Sequence, residues 1–194
     1  MQPVGLLMIE HRLIERMVRL MREEIDRIGQ YGRVDPDFVD DAVGFMRTYA
    51  DRCHHGKEEG VLFRDLALKP LSGEVRTTMD ELAQEHAFAR KTVLDIEAAK
   101  ERYIIGEKNA PADLIASLNI ITEFYPRHIA REDKHFFVPA MGYFTQEERD
   151  AMLKEFEDYD ARVVHETYGA MIKRLEKRFA PPAPASPGTY TEVP

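Results

Sequence analysis

The chain has 194 residues, 44% hydrophobic and 32% charged, enough for one domain with a substantial apolar core. Its 27 basic and 35 acidic residues leave a net charge of −8, and no basic stripe offers the phosphate neutralisation that a nucleic-acid surface needs. No apolar run approaches a membrane span, and one cysteine, Cys53, excludes an intramolecular disulfide. A reducing cytoplasm is therefore the expected location. The N-terminal MQPVGLLMIEHRLIERM lacks a basic leader and a small-residue cleavage site, so it reads as the start of a helix.

Helix one is expected over about residues 5–29. Leu7, His11, Ile14, Val18, Met21, Ile25 and Ile28 step by fours and threes along one face, and Gly29 and Gly32 end it. Asp35 and Pro36 suit the cap and first turn of helix two, whose stripe is Val39, Val43, Met46, Ala50, His54, Glu58 and Val61. A loop at 68–73 precedes helix three, with Val75, Met79, Leu82, His86, Ala89, Val93 and Ile96 inward. The stretch from Gly106 to Pro111 breaks it. Helix four carries Leu114, Leu118, Ile121, Tyr125, His128, Glu132 and Phe136. Thr145-Gln-Glu-Glu suits a cap for a fifth helix running to about Phe179, and the Pro-rich remainder reads as disordered.

No run reads as a strand, so the expected fold is all-α: an antiparallel up-down-up-down four-helix bundle over residues 1–142, with an additional C-terminal helix at 143–180 and a tail at 181–194. The fifth helix would cover one side of the bundle or serve an interface, with a second copy of the chain as a candidate partner.

Six polar residues fall inside these apolar stripes, in two matching sets: His11 with His54 and Glu58, and His86 with His128 and Glu132. His11 and His86 are 75 positions apart; the other two pairs are each 74 apart. The surrounding text repeats too, HHGKEEGVLF at 54–63 aligning without a gap on HIAREDKHFF at 128–137. Helices one and two therefore correspond to helices three and four. Residues four apart share a helix face, so His54 with Glu58, and His128 with Glu132, can each offer an imidazole and a carboxylate to one site. Buried carboxylates must be paired or coordinate metal. A lone histidine on an apolar face is usually a core residue, but four in register with two carboxylates reverse that expectation. Mixed imidazole and carboxylate ligation suits iron better than structural zinc. Six ligands leave two octahedral metals with open positions for water, dioxygen, peroxide or nitric oxide.

At about 100° per residue, His54 and Glu58 lie close to the stripe of Val43, Ala50 and Val61, while His55 and Glu59 lie off it. The repeat agrees, aligning His55 with Ile129. A π-bulge in helix two would undo that phase argument. Among the other polar residues, Arg90 reads as a structural ion pair, Tyr125 as packing, Cys53 as packing on the apolar side of helix two, and His165 as surface. Pro126 should free the Thr122 carbonyl and kink helix four near the site. Glu132-x-x-His135 matches half of a ferritin-like signature, which needs a second such motif; none is found.

On Glu10-His11-Arg12, HHGKEEGVLF, Glu85-His86 and HIAREDKHFF, the chain resembles the hemerythrin family, in particular its bacterial HHE cation-binding branch, over roughly residues 5–140. The resemblance implies a four-helix bundle around a non-haem di-iron centre with carboxylate and oxo or hydroxo bridges. His11, His54, His86 and His128 would bind iron, Glu58 and Glu132 would bridge, and the chemistry would be dioxygen binding, sensing or detoxification. Oxygen carriers place a second histidine four residues after the third-helix ligand, where this chain has Arg90, and one iron is then expected to lack a nitrogen ligand. They also place an aspartate five residues after the fourth-helix histidine, a spacing that Asp133 meets, although Glu132 fits the repeat better. These departures leave two functional alternatives: a di-iron enzyme that decomposes peroxide or reduces nitric oxide, and a non-catalytic iron-responsive module.

Overall fold

Every described element is helical. The computed structural model describes residues 2–160 and 162–179, and among them no strand occurs; the expected tail at 181–194 lies outside the described residues. Helix α1 (Pro3–Tyr31) has proline in its first turn and stops at Gly32, whose φ of 65° is a left-handed conformation that glycine adopts without steric cost. Gly29, expected to share that stop, sits inside the helix. Helix α2 (Pro36–Phe45) is capped by Asp35, whose side chain accepts from the Phe38 amide. It runs on through π-helical stretches at Met46–His55 and Glu58–Phe63 and ends in a turn at Arg64–Leu66. Helix α3 (Gly73–Ile104) is capped by Ser72, and Gly106 at φ 85° reverses the chain.

Helix α4 (Ala110–Arg131) contains Pro126. The Thr122 carbonyl, which that proline cannot serve, accepts instead from Arg22 Nη2 of α1 at 2.6 Å. The rod continues through a third π-helical stretch, Glu132–Phe136, into Phe137–Met141. The Thr145 capping box opens α5 (Gln146–Tyr159). The single C-terminal helix expected from the sequence is two helices: the chain leaves helical geometry at Asp160, at φ −89° and ψ 71°, and resumes as α6 (Arg162–Phe179).

The four long rods pack as a bundle, α1 against α2 and α4, and α3 against the same two. Two apolar clusters fill its ends. One holds Ile14, Met21, Phe38, Phe45, Ile96 and Ile121, together with Ile172 and Leu175 of α6. The other holds Leu7, Val61, Leu62, Leu82, Phe136 and Phe137, together with Met152 and Phe156 of α5. Each fully buried side chain of this size contributes about 1.5–3 kcal/mol. The break at Asp160 therefore separates two helices that seal opposite clusters. Between the clusters lies a layer of buried histidines and glutamates.

Candidate metal centre

All six residues singled out by the repeat converge in this layer. His11, His54, His86, His128, Glu58 and Glu132 are each at most 3% exposed. Glu58 reaches toward His54 with Oε1, at 3.4 Å from Nε2, and toward His86 with Oε2, at 3.3 Å. Glu132 reaches toward His11 with Oε2, at 3.2 Å, and toward His128 and His86 with Oε1, at 3.3 and 3.5 Å. Each carboxylate thus spans two groups of nitrogens.

A seventh residue joins them. His55 was expected off the inward face, yet it is 1% exposed, and its ring stacks on His86 with centroids 3.9 Å apart. The cause is the π-helical stretch Met46–His55. A π turn holds more residues than an α turn, so successive side chains diverge by less than about 100°, and neighbouring His54 and His55 both face inward. His55, His86 and His128 bring ligand atoms within 4.8 Å of one another, as do His11, His54, Glu58 and Glu132. Glu59, the other off-stripe residue, is partly exposed and faces outward.

The outer partners fix which histidine nitrogen is free. His11 Nδ1 lies 2.8 Å from Asp133, His54 Nδ1 2.8 Å from Glu10, His86 Nδ1 2.7 Å from Glu59 and His128 Nδ1 2.7 Å from Glu85. An ionised carboxylate only accepts, so each Nδ1 donates and each neutral ring presents a bare Nε2 inward. Asp133 is accordingly an outer partner of His11. These pairings obey the repeat: the glutamate before each histidine of α1 and α3 holds the histidine of the next rod, and the acid after each inward glutamate holds the histidine of α1 or α3.

Five Nε2 atoms and all four oxygens of Glu58 and Glu132 are buried without a hydrogen-bond partner among the described residues. Lone pairs that face one another at 3.2–3.5 Å need a proton or a cation between them. The charge balance shows the same demand. Burial, and then the charge of Glu132, push the Glu58 carboxyl well above the usual range. Glu132 is buried too, but His128, His11 and His86 hold it low. Burial also opposes protonation of His11, yet Asp133 and Glu132 raise it to about 9. Burial and the neighbouring His11 lower His54 to about 4. The donor set, five imidazoles and two carboxylates with carboxylates behind the rings, suits cation binding.

Arg90 forms an ion pair, Nε to Asp51 at 2.7 Å and Nη2 to Glu59 at 2.8 Å. Tyr125 is buried beside His128, and a cavity of about 200 Å³ bounded by Met46, Ala89, Val93, Tyr125 and Arg90 reaches His55. His135 is exposed. On the α5–α6 side, Glu10, Cys53, Asp160 and His165 also cluster, but the ammonium of Lys57 already sits among them, bonded to Glu10 and Asp160. Burial first of all pushes the Cys53 thiol up to about 12. His165, expected at the surface, is half-buried, 3.0 Å from the Tyr49 hydroxyl and 2.9 Å from Asp160. The sequence favours His54 over His55 only on α-helical phase, and the π-helical stretch, which would undo that phase, turns both inward. The sequence reading missed Lys57 and Asp160 because their pairing is visible only in three dimensions.

A helical bundle with a layer of inward imidazoles and carboxylates is the frame of a cation-binding protein. The family model for the hemerythrin HHE cation-binding domain matches residues 2–140, and the chain belongs to that family. No curated protein and no solved structure matched it. No described helix is long and apolar enough to cross a membrane.

Proposed function

We propose that this chain is a non-haem di-iron protein that binds dioxygen or a related small oxidant, with His11, His54, His55, His86 and His128 as nitrogen ligands and Glu58 and Glu132 as bridges. One observation carries the reading: five unpartnered Nε2 atoms surround two unpartnered buried carboxylates, each of which spans both nitrogen groups. Bound iron would supply one-electron redox exchange and coordination positions for a small oxidant. The protein's part is to hold the ligands rigid and dry. The groups are unequal, with three nitrogens on the side of His55, His86 and His128 and two on the side of His11 and His54. The two-nitrogen side therefore keeps more room for an exogenous ligand.

His55 also changes the weight of the enzymatic alternative. That alternative rested on a nitrogen missing at Arg90, and His55 brings a nitrogen to the same half of the layer from the neighbouring helix. Binding is thus the better supported reading over peroxide or nitric oxide turnover. The test is iron content with the optical spectrum, before and after reduced, iron-loaded protein meets oxygen. Two irons per chain and a new absorption band that disappears on removing oxygen support the proposal. Fewer than two irons per chain sinks the di-iron assignment, and irreversible oxidation without such a band shifts the reading to turnover.

A further inference from the structure

The family match ends at residue 140, yet a residue beyond it reaches the outer partners of the candidate centre. Glu10 accepts from His54 Nδ1 with Oε2 and pairs with Lys57 through Oε1. Lys57 is fully buried, and its other partner is Asp160, at the α5–α6 junction, with Nζ 2.5 Å from Oδ1. Asp160 is held in turn by His165 at 2.9 Å and by the Cys53 thiol at 3.2 Å. A continuous line of contacts runs from the C-terminal helices to His54.

The internal repeat shows what this line replaces. In the other half, Glu85 holds His128 and pairs with Arg131, and Arg131 is balanced by Glu81 of α3. Glu85 corresponds to Glu10 and Arg131 to Lys57. Glu81 corresponds to Leu6 on α1, which carries no charge. The first half therefore lacks its own acid for the third place, and Asp160 of the extension supplies it. A second feature points the same way. A Cβ at Gly56 would lie 2.9 Å from the Tyr159 ring, and one at Gly60 would collide with the Tyr159 hydroxyl. The repeat has Ala130 and Lys134 at those positions. The face of the second rod is thus cut back where the residue before Asp160 is seated.

We propose that Asp160 is a positioning residue of the metal centre: through Lys57 and Glu10 it fixes His54, so that the two-nitrogen half depends on the C-terminal extension and the three-nitrogen half does not. This rests on the di-iron reading. Loss of an outer partner of a ligating histidine typically lowers metal affinity 10–100-fold.

The experiment is an anaerobic titration of ferrous iron against a competing chelator, using the full-length protein. In Asp160→Ala, one of two binding steps should weaken by about 10-fold, the low end of the range for losing Glu10 itself because Asp160 acts through Lys57 and Glu10, with the other within twofold of wild type. Asp160→Asn, which keeps the shape without the charge, should shift the same step and decides the matter if the alanine variant does not fold. Combining Asp160→Asn with Glu10→Gln should weaken binding no further than Glu10→Gln alone, because both act on one ligand. Unchanged affinities in Asp160→Asn, equal weakening of both steps, or additive losses with Glu10→Gln would each overturn the proposal. A wild-type protein that takes up no iron would overturn the underlying di-iron reading before any variant is compared.

Discussion

At the scale of single residues, His55 is the most informative side chain. It stands where the sequence pattern gives no reason for an inward histidine, and it brings a nitrogen to the side where Arg90 withholds one. His55→Ala should therefore bind fewer than two irons per chain, measured by metal analysis after gel filtration. Adding Arg90→His, one turn after His86 on the same face of α3, should restore part of the loss. An His55→Ala variant with two tightly held irons would remove His55 from the ligand set. Glu24 offers a separate test, remote from the candidate centre. Its carboxylate is buried and accepts from the Asp35 amide at 3.0 Å. Burial first of all raises it to about 7, against the opposing charges of Arg27 and Arg178. A carboxyl with a raised folded pKa favours the fold fully below its unfolded value and loses that contribution as pH rises through 7. Glu24→Gln should thus be neutral near pH 4.5 and stabilising by about 1–3 kcal/mol at pH 8. Urea melts at the two pH values measure this; a variant equally affected at both would contradict it.

At the scale of elements, the sequence exposes the rods and hides their winding. The stripes of Leu7 to Ile28 and of Leu114 to Phe136 are periodic enough to place α1 and α4, and the Asp35 and Thr145 caps mark two starts. The duplication identified six inward residues without any coordinates. What the sequence leaves open is the π-helical character of Met46–His55 and Glu58–Phe63, which enters only as a bulge that would undo the α-helical phase, since no residue type encodes it. The α5–α6 break escaped for a related reason. At the break Tyr159 is seated against Gly56 and Gly60 and Asp160 against Lys57, tertiary contacts that the local sequence does not display. If the wide turn aims both histidines, shortening it must misplace one. Deleting exposed Arg52 from this stretch should leave far-UV helicity nearly intact while iron binding falls below two per chain. Retention of both irons would mean that the winding does not set the ligand geometry.

At the scale of the whole molecule, the candidate centre divides one core into two. The apolar clusters stabilise each end, while the layer between them buries two carboxylates and five imidazoles whose inward atoms have no hydrogen-bond partner among the described residues. Without a cation that layer opposes folding near neutral pH at Glu58, whose ionisation burial and the charge of Glu132 disfavour, whereas His11, raised against burial to about 9 by Asp133 and Glu132, binds its proton more tightly than in the unfolded chain. Metal uptake must displace both protons, since coordination requires the carboxylate and the neutral ring. Iron affinity should accordingly rise with pH between 5 and 8, with proton release measurable in weakly buffered solution. Binding to the folded state alone contributes about 2.7 kcal/mol per site when free metal is 100 times the dissociation constant. For a chain of this length that corresponds to about 5–10 °C in melting temperature per site. Removing metal with a chelator should lower the melting temperature by that amount for each ion lost. A metal-free protein that melts at the loaded temperature would show that the orphaned atoms are satisfied by the protein itself, and the metal reading would fall with it.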